Sequence, residues 1–301
     1  MFRLLSKESN IFSIPVYIGV LLVIVISFNI LDYNTLDIIS AMITFLGVAL
    51  GYFCFHAMAL NYQTHLPLFL YTFFIFALYP GDLDIGIAVS LFTNAIILLQ
   101  LTADNLSVRN NSYLLVGALL ALNFIFLPTT WPMFIFVLFH IVATGTNIGR
   151  QLGQFFLGIV LVALSYFSIA YFLHLGSWDT AYFPFGKFTF TQNFGYLWWL
   201  SPILILLLHS VGDHFRFYNR KSPSSRFKYT FLLVYSVAQL ITIVLYMGKT
   251  YEYLLLLALP ASIILSRMLR FAKKYWVREA GLWLIIGCLL LFKLSSYFNF
   301  Y

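Results

Sequence analysis

The chain alternates between long apolar stretches and short polar ones, and eleven of the apolar stretches stand out. They cover roughly residues 11–31, 38–60, 66–79, 85–101, 113–127, 131–143, 155–175, 196–209, 229–247, 253–265 and 280–294. Stretches this long and this free of charge read as membrane helices. The pattern therefore predicts an all-α, polytopic transmembrane helix bundle of about 9–11 membrane helices. A straight crossing takes about 20 residues, and residues 66–79, 113–127 and 131–143 fall short of that. Residues 113–143, joined by Pro128-Thr-Thr-Trp-Pro132, read either as a shallow turn or as a hairpin that enters and returns to the same face. A re-entrant hairpin is tolerated only where it is buried in protein or lines a wet cavity. No internal repeat, heptad run or linker interrupts the pattern, so the whole chain, residues 1–301, reads as one integral membrane domain.

Composition agrees with this reading. Of the 301 residues, 62% are hydrophobic and only 9% charged, against about 25% charged in a soluble domain. A net charge of +7 would suggest nucleic acid in a soluble protein. In a lipid-facing chain it reads as basic cytoplasmic loops beside anionic lipid, and no nucleic-acid partner is expected. Cys54 and Cys288 both sit in apolar stretches and read as packing residues. The first apolar stretch is long enough to span and ends without a small-residue cleavage site, so it reads as a retained helix.

Charge then orients the bundle. The loop Asp213-His-Phe-Arg-Phe-Tyr-Asn-Arg-Lys-Ser-Pro-Ser-Ser-Arg-Phe-Lys228 carries five basic residues against one acid. With the N-terminus cytoplasmic and the stretches alternating, fourteen of the seventeen lysines and arginines fall inside. Lys187, Lys249 and Lys293 fall outside. The positive-inside rule thus puts the N-terminus in the cytoplasm and the C-terminus on the outer face. The expected location is the bacterial inner membrane, with the lipid bilayer as the first partner.

Candidate chemistry is sparse. The outer face holds Asp32, Asp37, Asp82, Asp84, Asp179 and Glu252. Such acids serve as a general base or bind a divalent cation through oxygen, or they are simply solvated loop ends and helix N-termini. Lys187 sits in Phe183-Pro-Phe-Gly-Lys-Phe-Thr-Phe190, a segment suited to the headgroup layer. Lys187 and Lys249 are the candidate contacts for a substrate phosphate, and Asp32 and Asp37 the candidate catalytic acids. The six histidines are scattered, which speaks against a histidine-iron oxygenase. No Gly-rich phosphate loop, Cys-x-x-Cys or Gly-x-Ser-x-Gly occurs. No charge falls in the middle of any apolar stretch, which lowers the case for a pump or proton-coupled transporter. Asn123, Gln239 and Ser165 read as polar glue between helices.

Three stretches carry a resemblance: Phe2-Arg-Leu-Leu-Ser-Lys-Glu-Ser-Asn-Ile-Phe12, Leu127-Pro-Thr-Thr-Trp-Pro through Arg150 to Gly158, and Tyr251-Glu-Tyr-Leu through Pro260 to Trp276-Val-Arg-Glu279. By these the chain resembles an uncharacterised family of polytopic inner-membrane proteins of Bacteroidota, which implies no activity. A more distant likeness is to the GT-C glycosyltransferases, which use polyprenyl-phosphate-linked sugars. It rests on a retained first helix, the acidic loop Asp32–Asp37, and the short helix pair with an inner basic turn over residues 114–158. The loop here is only about six residues and the acids are not adjacent, unlike the family's acid pair. The likeness implies an enzyme acting on a lipid-linked substrate at the outer face. The alternative is a non-catalytic membrane subunit or scaffold of an envelope assembly or transport machine, working with other membrane proteins.

Overall fold

A computed structural model describes the chain apart from residues 10–11, 30–34, 59–63, 82, 104, 145–146, 175, 177–181, 191–195, 217, 219–221, 249–250 and 299–301. The described residues form thirteen α-helices and no sheet. Two helices are short, α1 (Phe2–Leu5) and α6 (Leu106–Asn111). The other eleven correspond one to one with the apolar stretches. They are α2 (Ser13–Asn29), α3 (Thr35–Met58), α4 (His65–Leu78), α5 (Ile85–Leu101), α7 (Tyr113–Phe126), α8 (Pro132–Thr144), α9 (Ile148–Phe172), α10 (Ser201–Arg216), α11 (Pro223–Tyr246), α12 (Ala258–Phe271) and α13 (Tyr275–Phe298). Short 3-10 turns, Pro128–Thr130, Tyr196–Leu200 and Glu252–Leu257, precede α8, α10 and α12. Four helical stretches are long and apolar enough to cross a membrane: residues 35–55, 148–172, 223–246 and 252–271. The chain is a multi-pass membrane protein.

Several helices outrun their apolar stretches. α9 begins at Ile148 rather than residue 155, α11 at Pro223 rather than 229, and α13 runs from Tyr275 to Phe298 rather than over 280–294. The backbone ladder continues into the headgroup layer, where polar side chains are welcome, while hydropathy stops at the first charge. Pro223 at the first helical position and Ser222 as N-cap, accepting from Ser225 N–H at 3.4 Å, start α11 inside the basic loop. Lys293, at the end of the last apolar stretch and counted among the outer cations, lies within α13 and is only 5% exposed.

Three helices form the centre. α4, α5 and α12 bury most of their residues, including Leu70, Ile75, Ile97, Leu98 and Leu265. α3 packs on α5 so closely that a Cβ on Gly47 would lie 2.7 Å from the Phe92 backbone nitrogen. α7 lies between α5 and α9. Between α5 and α7, the Ser90 hydroxyl donates to Asn123 Oδ1, so the buried Asn123 acts as interhelical glue. Gln239 is likewise fully buried, but Ser165 is exposed on α9 and bonds its own helix at Leu161 O. α9 touches the bundle through one face, with Gln151, Phe155, Gly158 and Ala170 buried. There Gly117 meets the Phe155 carbonyl and Gly158 meets the Leu114 carbonyl, a small-residue crossing that brings two backbones together.

Contacts between helix ends sort the bundle into two ends. At one, Phe2 N–H donates to Glu279 at 3.0 Å, Arg267 donates to Ser225 at 3.1 Å, and Gln151 donates to Asn110 at 3.1 Å. This is the basic end, and Arg109, Arg226, Lys228 and Arg278 lie there too. At the other, Asn29 donates to the Tyr79 hydroxyl at 2.6 Å, Ser40 to the Leu83 carbonyl, and Asp84 N–H to Glu252 at 3.4 Å. α7, with 14 residues, reaches from the first end to the second. There a Cβ on Gly86 would lie 2.6 Å from Phe126 O, so α7 crosses the whole bundle in about 21 Å. The turn Pro128–Thr130 therefore sits at the far end, with Ser40, Leu83 and Asp84, as a shallow turn. Lys221, Asp82 and Asp179 fall outside the described residues.

Candidate functional site at the acidic end

Two acidic residues far apart in sequence come together at this end. Asp84 is the N-cap of α5, its Oδ1 accepting from Gly86 N–H at 2.6 Å. Its own backbone N–H points at Glu252 Oε2, 3.4 Å away. Glu252 opens the 3-10 turn that leads into α12. Both carboxylates lie within electrostatic reach of the Tyr253 hydroxyl. That hydroxyl in turn shares a 3.2 Å hydrogen bond with Thr129 at the tip between α7 and α8.

The tip is held from the other side as well. Trp131 Nε1 donates to the Tyr246 hydroxyl at 2.9 Å, and Tyr246 faces the Pro184 carbonyl at 3.5 Å. The aromatic loop lies over α7, α8 and α11: Tyr182 donates to the carbonyls of Phe124 and Ile125, and Trp131 packs on Phe185. Thr189 N–H donates to Leu245 O at 2.9 Å, and Gly248 N–H donates to Thr189 O at 3.0 Å. Gly248, with φ +58°, takes the left-handed conformation that ends α11 and turns its N–H toward the loop. Exposed Phe185, Phe188 and Phe190 flank Lys187 in sequence, itself exposed.

Of the residues singled out from sequence, Asp37 is half-buried in the first turn of α3. It lies one turn before Ser40, whose hydroxyl holds Leu83 next to Asp84. Asp32 and Lys249 fall outside the described residues. The pairing of Asp84 with Glu252 was not visible in the sequence, because 168 positions separate them. The only sequence signal was that both acids open an apolar segment on the same face. Among the described residues no group of three His, Cys, Asp or Glu side chains is placed to hold a metal. The described carboxylates at this end are oxygen ligands of the type a divalent cation takes, but they do not by themselves complete such a set.

An apolar groove runs up to this cluster from the side. Its volume is ≈ 360 Å³, and it lies between α10, α11 and α12, with α4 at its back. Leu204, Leu240 and Val244 line it and are also exposed at the surface, so it opens sideways into lipid. Its wall includes Phe190, Met247 and Leu254, the last only two residues from Glu252. One cation is buried nearby. Lys293 Nζ donates to Tyr79 O at 2.6 Å and lies 4.1 Å from the Phe28 ring centroid. Tyr79 is the C-cap of α4, so the ammonium satisfies an orphan carbonyl at the negative end of a helix.

A family model described as "Family of unknown function (DUF6427)" matches residues 1–300. No curated protein and no solved structure matches the chain.

Proposed function

Because the chain belongs to the DUF6427 family, whose function is not known, we propose its role from geometry: it handles a phosphate-linked lipid, of the polyprenyl-phosphate class, at its acidic end. The observation that carries this is the lateral apolar groove beside the Asp84–Glu252–Tyr253 cluster. A long hydrocarbon tail enters such a groove from the bilayer, and the headgroup then lies level with the carboxylates. Lys187, and Lys249 next to Gly248, are the cations for the phosphate. In a GT-C-like transfer, Glu252 takes the proton of an acceptor hydroxyl and the hydroxyl oxygen bonds to the sugar C1. The C1–O bond to phosphate breaks, and the lipid phosphate leaves with the electron pair. Asp37 and Asp32, on the same rim by the charge pattern, are the other candidate acids.

A photoreactive residue in place of Leu204 tests the groove. It should cross-link to radiolabelled polyprenyl phosphate in vesicles, with competition by unlabelled polyprenyl phosphate and not by phosphatidylglycerol. Leu161, on the exposed face of α9, is the control. Equal labelling at Leu204 and Leu161 would remove the groove from the argument.

The proposed orientation puts the basic end in the cytoplasm of a bacterial inner membrane. A cysteine replacing Lys221 should label only from the cytoplasmic side, and one replacing Lys187 only from outside. Labelling of both from one side would overturn it.

A second reading, a non-catalytic subunit of an envelope assembly, is favoured by α9. That helix leaves Phe156, Val160, Leu164 and Phe167 exposed along its length, a surface that another membrane helix could cover as well as lipid.

A further inference from the structure

We propose that the basic end carries a second, separate lipid site, a cleft between α8 and α11 that binds an anionic phospholipid of the adjacent leaflet. The cleft has a volume of ≈ 590 Å³. A neighbouring recess of ≈ 480 Å³ shares Thr144, Pro223 and Phe227 as walls. Phe139 and Val234 line the cleft and are 67% and 46% exposed, so its mouth faces the bilayer and not the aqueous loops.

Three cations surround the polar part. Arg226 lines the cleft, with its guanidinium 5.3 Å from the Tyr218 ring centroid. Arg109 lines the recess, 4.9 Å from the Phe227 ring centroid. Lys228 also lines the recess and is only 4% exposed. Among the described residues neither Arg109 nor Arg226 has a carboxylate partner. Asp213 is the acid on the adjoining α10, close enough to act on Tyr229. His140 reaches the cleft from α8, 7% exposed, and its Nε2 has no hydrogen-bond partner among the described residues. A buried ring nitrogen left so is costly unless something binds it.

These features fit one occupant. Clustered cations in a partly dry cleft attract an anion, and two arginines present the planar forks that suit phosphate oxygens. The first turn of α11 adds the positive end of a helix. Toward the mouth the walls turn apolar and aromatic, with Phe136, Phe231 and Val234, and suit acyl chains. A soluble phosphate would use the recess alone and leave the lipid-facing cleft empty, whereas a phospholipid fills both. This inference does not depend on the role proposed for the acidic end.

Native mass spectrometry of the detergent-solubilised protein is the test, with phosphatidylglycerol and phosphatidylcholine offered at equal concentration. Wild type should retain phosphatidylglycerol in preference. Arg109→Ala and Arg226→Ala should each weaken retention about tenfold, as loss of a charge-assisted contact does. Val234→Trp should block retention with every cation in place, which separates tail binding from charge. Melting temperatures measured without added lipid establish that the variants are folded. Equal retention of the two lipids by wild type would overturn the proposal, as would unchanged retention in folded Arg109→Ala and Arg226→Ala. Displacement of the lipid by inorganic phosphate at comparable concentration would also overturn it, by showing a soluble-anion site.

Discussion

Replacing Gly158 with leucine is expected to detach α9 from the bundle. α9 has 25 residues and buries four of them: Gln151, Phe155, Gly158 and Ala170. Its contact with α7 is a glycine crossing. A Cβ on Gly158 would press on the Leu114 carbonyl and lie 2.8 Å from the Ala118 backbone nitrogen. These are backbone atoms of a helix and cannot turn aside as a side-chain tip can. Overpacking a core typically costs about 1–3 kcal/mol where side chains yield. Here nothing yields, and the loss should reach or exceed the top of that range. Without close backbone approach, membrane helices lose the van der Waals packing that associates them. Gly153 on the same helix is the control, since a Cβ there meets nothing within 4 Å. Thermal unfolding in detergent should show a large drop for Gly158→Leu and little change for Gly153→Leu. Cysteines replacing Asn110 and Gln151, whose side chains bond at 3.1 Å, should cross-link in the parent protein and fail to do so in Gly158→Leu. Unchanged melting and cross-linking would mean that α7 and α9 do not meet at this crossing.

Glu252→Gln should reduce the proposed transfer by about 10²–10⁴, the usual contribution of a positioned general base. The change is isosteric, and the amide oxygen still accepts from the Asp84 N–H, so the fold should survive. The neighbouring acid differs. The Asp84 carboxylate already caps α5 through Gly86 N–H. Asparagine caps as well as aspartate, so Asp84→Asn should insert normally and reports only on the charge. Asp37→Asn and Asp32→Asn complete the set. Complementation of cells that depend on the protein reads all four, with insertion checked for each variant. Failure of Glu252→Gln alone would identify the base. Full function in all four would leave the transfer without a base and make the scaffold reading the better account.

The fold was legible in the sequence because lipid leaves a helix few options. Eleven apolar stretches became eleven helices, and even the short ones kept their identity. The turn Pro128-Thr-Thr-Trp-Pro132 was legible as a tip for the same reason, since two prolines cannot continue the ladder. What stayed hidden was convergence. Hydropathy is one-dimensional, and nothing along the chain says that Glu252 comes to rest beside Asp84. It placed Lys293 at the outer end of the last apolar stretch but could not say what the charge would meet there. In three dimensions that lysine caps α4, and a charge with such a partner can stay inside a helix. The basic loop was read for orientation alone. That Arg109 and Arg226 stand over rings beside a buried His140 depends on how α8 and α11 cross, which no local pattern encodes.

The unequal lengths of neighbouring helices bear on the membrane itself. From Pro128 to Thr144 the chain is helical for 17 residues at most, about 25 Å along its axis. Ile135, Phe139 and Val142 show that this segment faces lipid. α9, directly after it in sequence, has 25 residues, about 37 Å. An ordinary hydrocarbon layer is about 30 Å thick, so lipid is expected to thin beside α8 and α9 to tilt. Such hydrophobic mismatch costs a fraction of a kcal/mol per Å. The expected consequence is a pinched strip of bilayer along the flank where the α8–α11 cleft opens, with the headgroups of the two leaflets closer together there than beside α9.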